Sequence, residues 1–143
     1  MQEAISDTKI HLEKKFIDEL IAHARKDDPN ECCGIIAGKD GKVLKLYPTT
    51  NEEKSPIRYK IPPQELFNAI KDIESRGWDL IGMYHSHTHS EAYPSPTDVR
   101  LAFWPESLYF IVSLSPPAPH IRAFNIVESK ISEIEIKLIA SSQ

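Results

Sequence analysis

His85-Ser86-His87, then seven residues from Thr88 to Pro94, then Ser95-Pro96-Thr97-Asp98, gather two imidazoles, a hydroxyl and a carboxylate within fourteen residues. Neutral imidazole nitrogens and a carboxylate oxygen suit Zn2+, and three protein ligands leave a fourth position for water. Successive strand side chains alternate faces. His85 and His87 therefore point the same way, with Ile81 and Met83 on their side and Tyr84 and Ser86 on the other. Asp98 lies eleven residues past His87, far enough for a loop to return its carboxylate over the strand end. An open coordination position implies chemistry rather than structural stapling.

Elements of the right kind flank these residues. Asp79 to Ser86 reads as a buried strand that delivers His85 and His87 at its C-terminal end. Ser95-Pro96-Thr97-Asp98 starts a short helix that Pro105 stops: Ser95 caps, Pro96 suits the first turn, and Asp98 favours the positive end of the dipole. Upstream, Leu12, Phe16, Ile17, Leu20, Ile21 and Ala24 recur at helical spacing and predict a helix over 12–26, ended by Pro29. Cys32–Gly38 and Val43–Tyr47 predict two strands joined at Asp40-Gly41, a pair that tolerates the positive φ of a hairpin turn. Ile57–Ile61 predicts another short strand. Pro62-Pro63 opens a second helix with a stripe of Leu66, Phe67, Ile70 and Ile73, closed by Gly77. Ser107–Leu114, Ile121–Val127 and Ile131–Ile139 predict three more strands, the first two separated by the Pro-rich turn Ser115–Pro119. The expected fold class is α/β, a single domain over residues 1–143 with about six strands and two or three helices.

Composition narrows the functional class. A chain of 143 residues buries roughly two-thirds of its unfolded surface and needs no staple. The formal net charge of −4, without a dense Lys/Arg run, argues against nucleic acid or an anionic membrane as partner. No apolar run approaches the ~20 residues of a membrane span, and the N-terminus lacks a signal-peptide pattern. Cys32 and Cys33 are adjacent, which ordinary disulfide geometry does not join. A reducing cytoplasm fits these features.

The spacing of His85, His87, Ser95 and Asp98 is similar to the JAMM (MPN+) metalloprotease signature, His-x-His, seven residues, Ser, two residues, Asp. The family's remaining element, a glutamate at the start of an early strand, is matched by Glu31 in Glu31-Cys32-Cys33-Gly34-Ile35-Ile36-Ala37-Gly38. The resemblance implies an MPN (cytidine-deaminase-like) fold with a mixed, mainly antiparallel sheet. It implies one Zn2+ per chain on His85, His87 and Asp98, with Glu31 as the base that moves the water proton to the leaving amine. It also offers Ser95 as a donor to the tetrahedral oxyanion, although capping is an equally good reason for a serine there.

His89 extends the histidine parity and would make a rival three-histidine site if the strand continued. Ser90 to Pro94 reads as loop, so His89 is expected as a wall residue or a donor near the site. The run around Cys32 and Cys33 is apolar, which favours buried small hydrophobes over reactive thiols. The chain lacks the His-x-Glu and Pro-Cys-x-x-Cys of zinc deaminases and the His-Glu-x-x-His of helical metalloproteases. Trp78 and Trp104 are expected in core or groove packing.

The short chain resembles the compact prokaryotic members of the JAMM family, in particular those similar to sulfur-carrier–cysteine peptidases. That likeness implies a ubiquitin-like β-grasp partner with a Gly-Gly C-terminus, its tail extended along a strand edge, and possible release of cysteine from a carrier adduct. A general deconjugase of small modifiers, a non-catalytic MPN scaffold and a metal-sensing module are the alternatives. The oligomeric state, the carrier and the leaving group are left open.

Overall fold

The computed structural model describes residues 9–116 and 119–140. The elements run β1 (Lys9–Glu13), α1 (Lys14–Asp27), β2 (Cys33–Lys39), β3 (Lys42–Thr49), α2 (Pro63–Ser75), β4 (Asp79–His87), α3 (Pro96–Arg100), β5 (Leu108–Ser113), β6 (His120–Val127) and β7 (Lys130–Ile139). The strands close into a ring in the order β1-β3-β2-β4-β5-β6-β7. Four pairings are antiparallel (β2–β3, β2–β4, β5–β6, β6–β7) and three are parallel (β4–β5, β1–β7, β1–β3). The α/β class and the mixed, mainly antiparallel sheet expected above are therefore present, with seven strands rather than about six. The closing contact between β1 and β3 is made at one residue pair, His11↔Lys42.

Alternation along the strands builds a two-sided sheet. Ile36 of β2 and Phe110 and Val112 of β5 join Phe16, Leu20 and Ala24 of α1 in the largest core cluster. The opposite side carries two smaller clusters. Ile35 and Ala37 pack with Ala69 and Ile73 of α2, while Tyr109 and Ile111 pack with Phe124 and, at its edge, Val99 of α3. His85 pairs with Cys33 on one side and Ile111 on the other. It therefore stands between the two smaller clusters, in the middle of the sheet.

Local chemistry explains most of the boundaries. Asp40 and Gly41 take φ of 51° and 80°, the left-handed pair a tight hairpin turn needs. Gly77 takes φ of 72° just past α2, where a residue without Cβ ends a helix at least cost.

Several expectations are corrected. Lys9–Glu13 forms a strand, and Leu12, expected inside the first helix, is buried in it. The period-two burial of Ile10 and Leu12 marks that strand, and the helical period starts only at Lys14. Ile57–Ile61 is not a strand. The Asn51 side chain donates to the carbonyls of Glu31 and Arg58 and accepts from the N–H groups of Glu53 and Lys60, winding this segment into a pinned loop. Phe67 is 56% exposed, and Ala69 takes its expected place in the buried stripe. α3 ends at Arg100, four residues earlier than the Pro105 stop allows. A bulge between Ile36↔Gly82 and Ala37↔Leu80 shifts the parity of β4, so Ile81 packs on the α1 side and Leu80 on the α2 side. Two residues of the Pro-rich turn, Pro117 and Ala118, lie outside the described residues.

Candidate metal centre

β4 ends at His87, and its last turn of pleat sends His85 and His87 to the same side as expected. Both rings are buried, 5.1 Å apart between centroids. Asp98 reaches them because α3 begins with a full capping box: the Ser95 hydroxyl accepts from Asp98 N–H at 3.0 Å, and Ser95 N–H donates to Asp98 Oδ2 at 2.9 Å. The same Oδ2 lies 3.1 Å from His85 Nε2 and 2.9 Å from His87 Nε2. Ligand atoms of His85, His87 and Asp98 all fall within 4.8 Å of one another.

The tautomer of His87 makes this a candidate cation site. His87 Nδ1 is 2.8 Å from the Glu91 carbonyl oxygen, which can only accept, so Nδ1 carries a proton. A neutral ring then turns its Nε2 lone pair at the Asp98 carboxylate. That contact is attractive only with a proton or a metal cation between the two atoms. Burial works against a charged His87 ring, but the bonds to Asp98 and to the Glu91 carbonyl outweigh it and raise its pKa. Burial likewise opposes ionisation of Asp98. The charge and hydrogen bonds of His85, with those of His87 and Ser95, overcome it and hold the carboxyl well below the usual range. The donor set, two imidazole nitrogens and one carboxylate, fits a tetrahedral metal with one position open.

Glu31 is brought in by the zip between β2 and β4. Cys32 N–H donates to Ser86 Oγ at 2.8 Å, and Ser86 N–H donates to the Cys32 carbonyl at 3.2 Å. Glu31 directly precedes Cys32, and its carboxyl lies close enough to Asp98 and His87 to feel both charges. Its main chain is clamped on both sides, N–H to the Ser55 carbonyl at 2.9 Å and C=O from Asn51 Nδ2 at 3.0 Å. The side chain is buried, and its Oε1 has no hydrogen-bond partner. Burial, with the nearby Asp98 charge, pushes this carboxyl up to about 8 against a partial pull downward from His87. A carboxyl poised near neutrality and left without a partner is suited to exchanging protons.

Ser95 is half-buried, its oxygen accepting in the cap while its O–H proton remains available to be donated. His89 is exposed beyond the strand end, 3.0 Å from Thr88 Oγ1, and does not join the three-residue cluster. Cys32 and Cys33 are free and buried, and burial pushes both thiols up to about 12, which disqualifies them as nucleophiles at neutral pH.

Two contributors were not legible in advance. Tyr59 stacks on His85 with ring centroids 4.5 Å apart and 18° between planes. Asn51 clamps the loop that carries it. Neither belongs to a motif, and a lone aromatic in a polar loop gives no signal until the loop's course is known.

The family described as prokaryotic homologs of the JAB domain matches residues 13–127. A CysO-cysteine peptidase of Mycobacterium tuberculosis is 36% identical over 127 residues, covering 87% of each chain. A desampylase of Haloferax volcanii is 35% identical over 116 residues, 76% of this chain and 84% of that one. A protein of Desulfitobacterium hafniense solved in solution superposes with a TM-score of 0.86 at 40% identity, covering 94% of this chain and 95% of that one.

Proposed function

The chain belongs to the prokaryotic branch of the JAMM/MPN family, and from that premise we propose that it is a zinc-dependent peptidase or isopeptidase. Its substrate is the bond after the C-terminal Gly-Gly tail of a ubiquitin-like or sulfur-carrier protein. The relatives of M. tuberculosis and H. volcanii are named for peptidase and deconjugating activities, which supports hydrolysis. The observation that carries the zinc reading is the convergence of two Nε2 atoms on one Asp98 oxygen, beside an unpartnered buried carboxyl.

His85, His87 and Asp98 would hold the zinc, which supplies a Lewis acid and an acidified water. Glu31 takes a proton from the attacking water as its oxygen bonds the scissile carbonyl carbon. It then returns that proton to the amine as the C–N bond breaks. Ser95 donates its hydroxyl proton toward the oxyanion while its oxygen stays in the cap. Tyr59 covers one face of His85 and keeps bulk water off that side of the centre. Two free buried thiols suit a reducing compartment such as the cytoplasm.

A scaffold role is less well supported, because an unpartnered buried glutamate is costly to keep without a use. The test is to incubate the zinc-loaded protein with β-grasp carriers ending in Gly-Gly, fused either to cysteine or to a protein lysine, and to weigh the products. Cleavage after the second glycine by wild type and not by Glu31→Gln supports the reading. Intact fusions throughout would overturn it. Release of cysteine alone, or of the protein as well, separates the carrier–cysteine peptidase from a general deconjugase.

A further inference from the structure

Beside the metal centre lies an apolar cleft of about 330 Å3. Its walls come from two stretches of chain, Tyr59 and Leu66 after β3 and Leu101, Phe103 and Trp104 after α3, with Met83 of β4 and three charged residues of the 53–60 loop also lining it. Phe103 is 70% exposed and Trp104 43%, an unusual amount of aromatic surface to leave to water. Both walls are held in place. Asn51 bonds the Arg58 carbonyl and the Lys60 N–H, while Trp104 N–H donates to the Tyr109 hydroxyl at 3.0 Å and Asn125 Nδ2 to the Pro105 carbonyl at 3.2 Å. The cleft is thus preformed. It is continuous with the centre, because Tyr59 lines it and also stacks on His85, and Met83 stands two residues before His85 on β4.

Position along β4 says which side of the scissile bond it serves. The order is Met83 and the cleft, then His85, then His87, with Glu31 two residues before the Cys33 that pairs antiparallel with His85 and so toward the His87 end. Glu31 protonates the leaving amine, so the amine lies toward the His87 end and the acyl side of the substrate toward the cleft. At about 3.3 Å per extended residue, Met83 is about two residues from His85. Side chains of alternate residues in an extended peptide face the same way.

We propose that this cleft receives the side chain of the third residue before the scissile bond, and that it selects a carrier tail with a bulky apolar residue there. This rests on the function proposed above. The two glycines nearest the bond present no side chain, so the third residue is the first that the enzyme can read. Leu101, Phe103 and Trp104 are its specificity-determining residues.

The experiment is fluorescence anisotropy of zinc-loaded protein with labelled hexapeptides ending in Leu-Gly-Gly or Asp-Gly-Gly. The Leu peptide is expected to bind at least about tenfold more tightly, the usual scale of discrimination by an apolar pocket. Leu101→Ser and Trp104→Ser, both at exposed positions, should each reduce that ratio toward one with bound zinc unchanged. Equal binding of the two peptides by wild type, absence of binding, or a ratio that survives both substitutions overturns the proposal. Carrier fusions with the same swap keep the two readings apart. No cleavage of any fusion is a failure of the activity, whereas cleavage with equal kcat/KM for Leu and Asp is a failure of the cleft alone.

Discussion

Tyr84 and Ser86 face α1, and the protein answers each of them: the Tyr84 hydroxyl lies 2.7 Å from His23 Nδ1, and Ser86 Oγ accepts from Cys32 N–H. His85 and His87 leave the same strand on its other side, into equal burial, with different consequences. His85 Nδ1 has no partner, Glu31 Oε1 nearby has none, and both Nε2 atoms crowd one carboxylate oxygen. Gly34 sharpens the contrast, since a Cβ there would run into the Tyr84 ring. One face is filled to the atom and the other is left chemically unfinished. Buried polar groups are nearly always satisfied in a folded protein, so the unfinished face is where a ligand belongs.

If that division is right, substitutions on the two faces should separate activity from stability. The largest effect is expected from Asp98→Ala, which removes the carboxylate between the two histidines; bound metal and all hydrolysis should be lost. Activity that survives at wild-type level would erase the division. Glu31→Gln should come next, with metal retained and kcat lowered by about 10²- to 10⁴-fold, the usual range for a general acid–base. On the other face, Ser86→Ala strands the Cys32 N–H and should cost about 1–3 kcal/mol by denaturant unfolding. Its zinc content and its kcat should stay within about twofold of wild type, as expected of a change that touches no substrate. A Ser86→Ala protein that is stable but inactive would move the boundary between the faces.

A smaller effect concerns pH. Burial raises Glu31 from 4.5 to about 8 in the metal-free protein. Between those values the folded chain keeps a proton that the unfolded chain releases, so metal-free stability should fall as pH rises from about 5 to 8. Glu31→Gln should flatten that slope in thermal melts of chelator-treated protein. A slope unchanged by the substitution would remove Glu31 from the unfinished face. The smallest effect is expected from His89→Ala, which should alter neither zinc content nor stability; loss of metal would make it a ligand.

The same contrast explains what the sequence could and could not reveal. The α2, β2, β4 and α3 starts were readable because Pro62-Pro63, an apolar run and Ser95-Pro96-Thr97-Asp98 act locally. The three-residue cluster was readable because two of its members share a strand face and the third sits in a capping box. β1 was hidden, since Leu12 fits a helical stripe as well as a strand, and only pairing with β7 decides between them. The bulge at Ile81 was hidden for the same reason: register is a property of two strands. Loop 51–62 was misread as partly strand because its shape comes from a single asparagine folded inward, and with it went Tyr59 and the cleft. Local chemistry wrote the centre into the chain, and long-range packing wrote its surroundings.

If the unfinished face is a zinc site, metal analysis of zinc-supplemented, desalted protein will find the ion there. About one zinc per chain is predicted for wild type, as for a three-ligand catalytic site, with the same value in Glu31→Gln and Ser86→Ala and none in Asp98→Ala. A wild-type protein without zinc, or an Asp98→Ala protein that holds it as well as wild type, would mean that this face is not a zinc site.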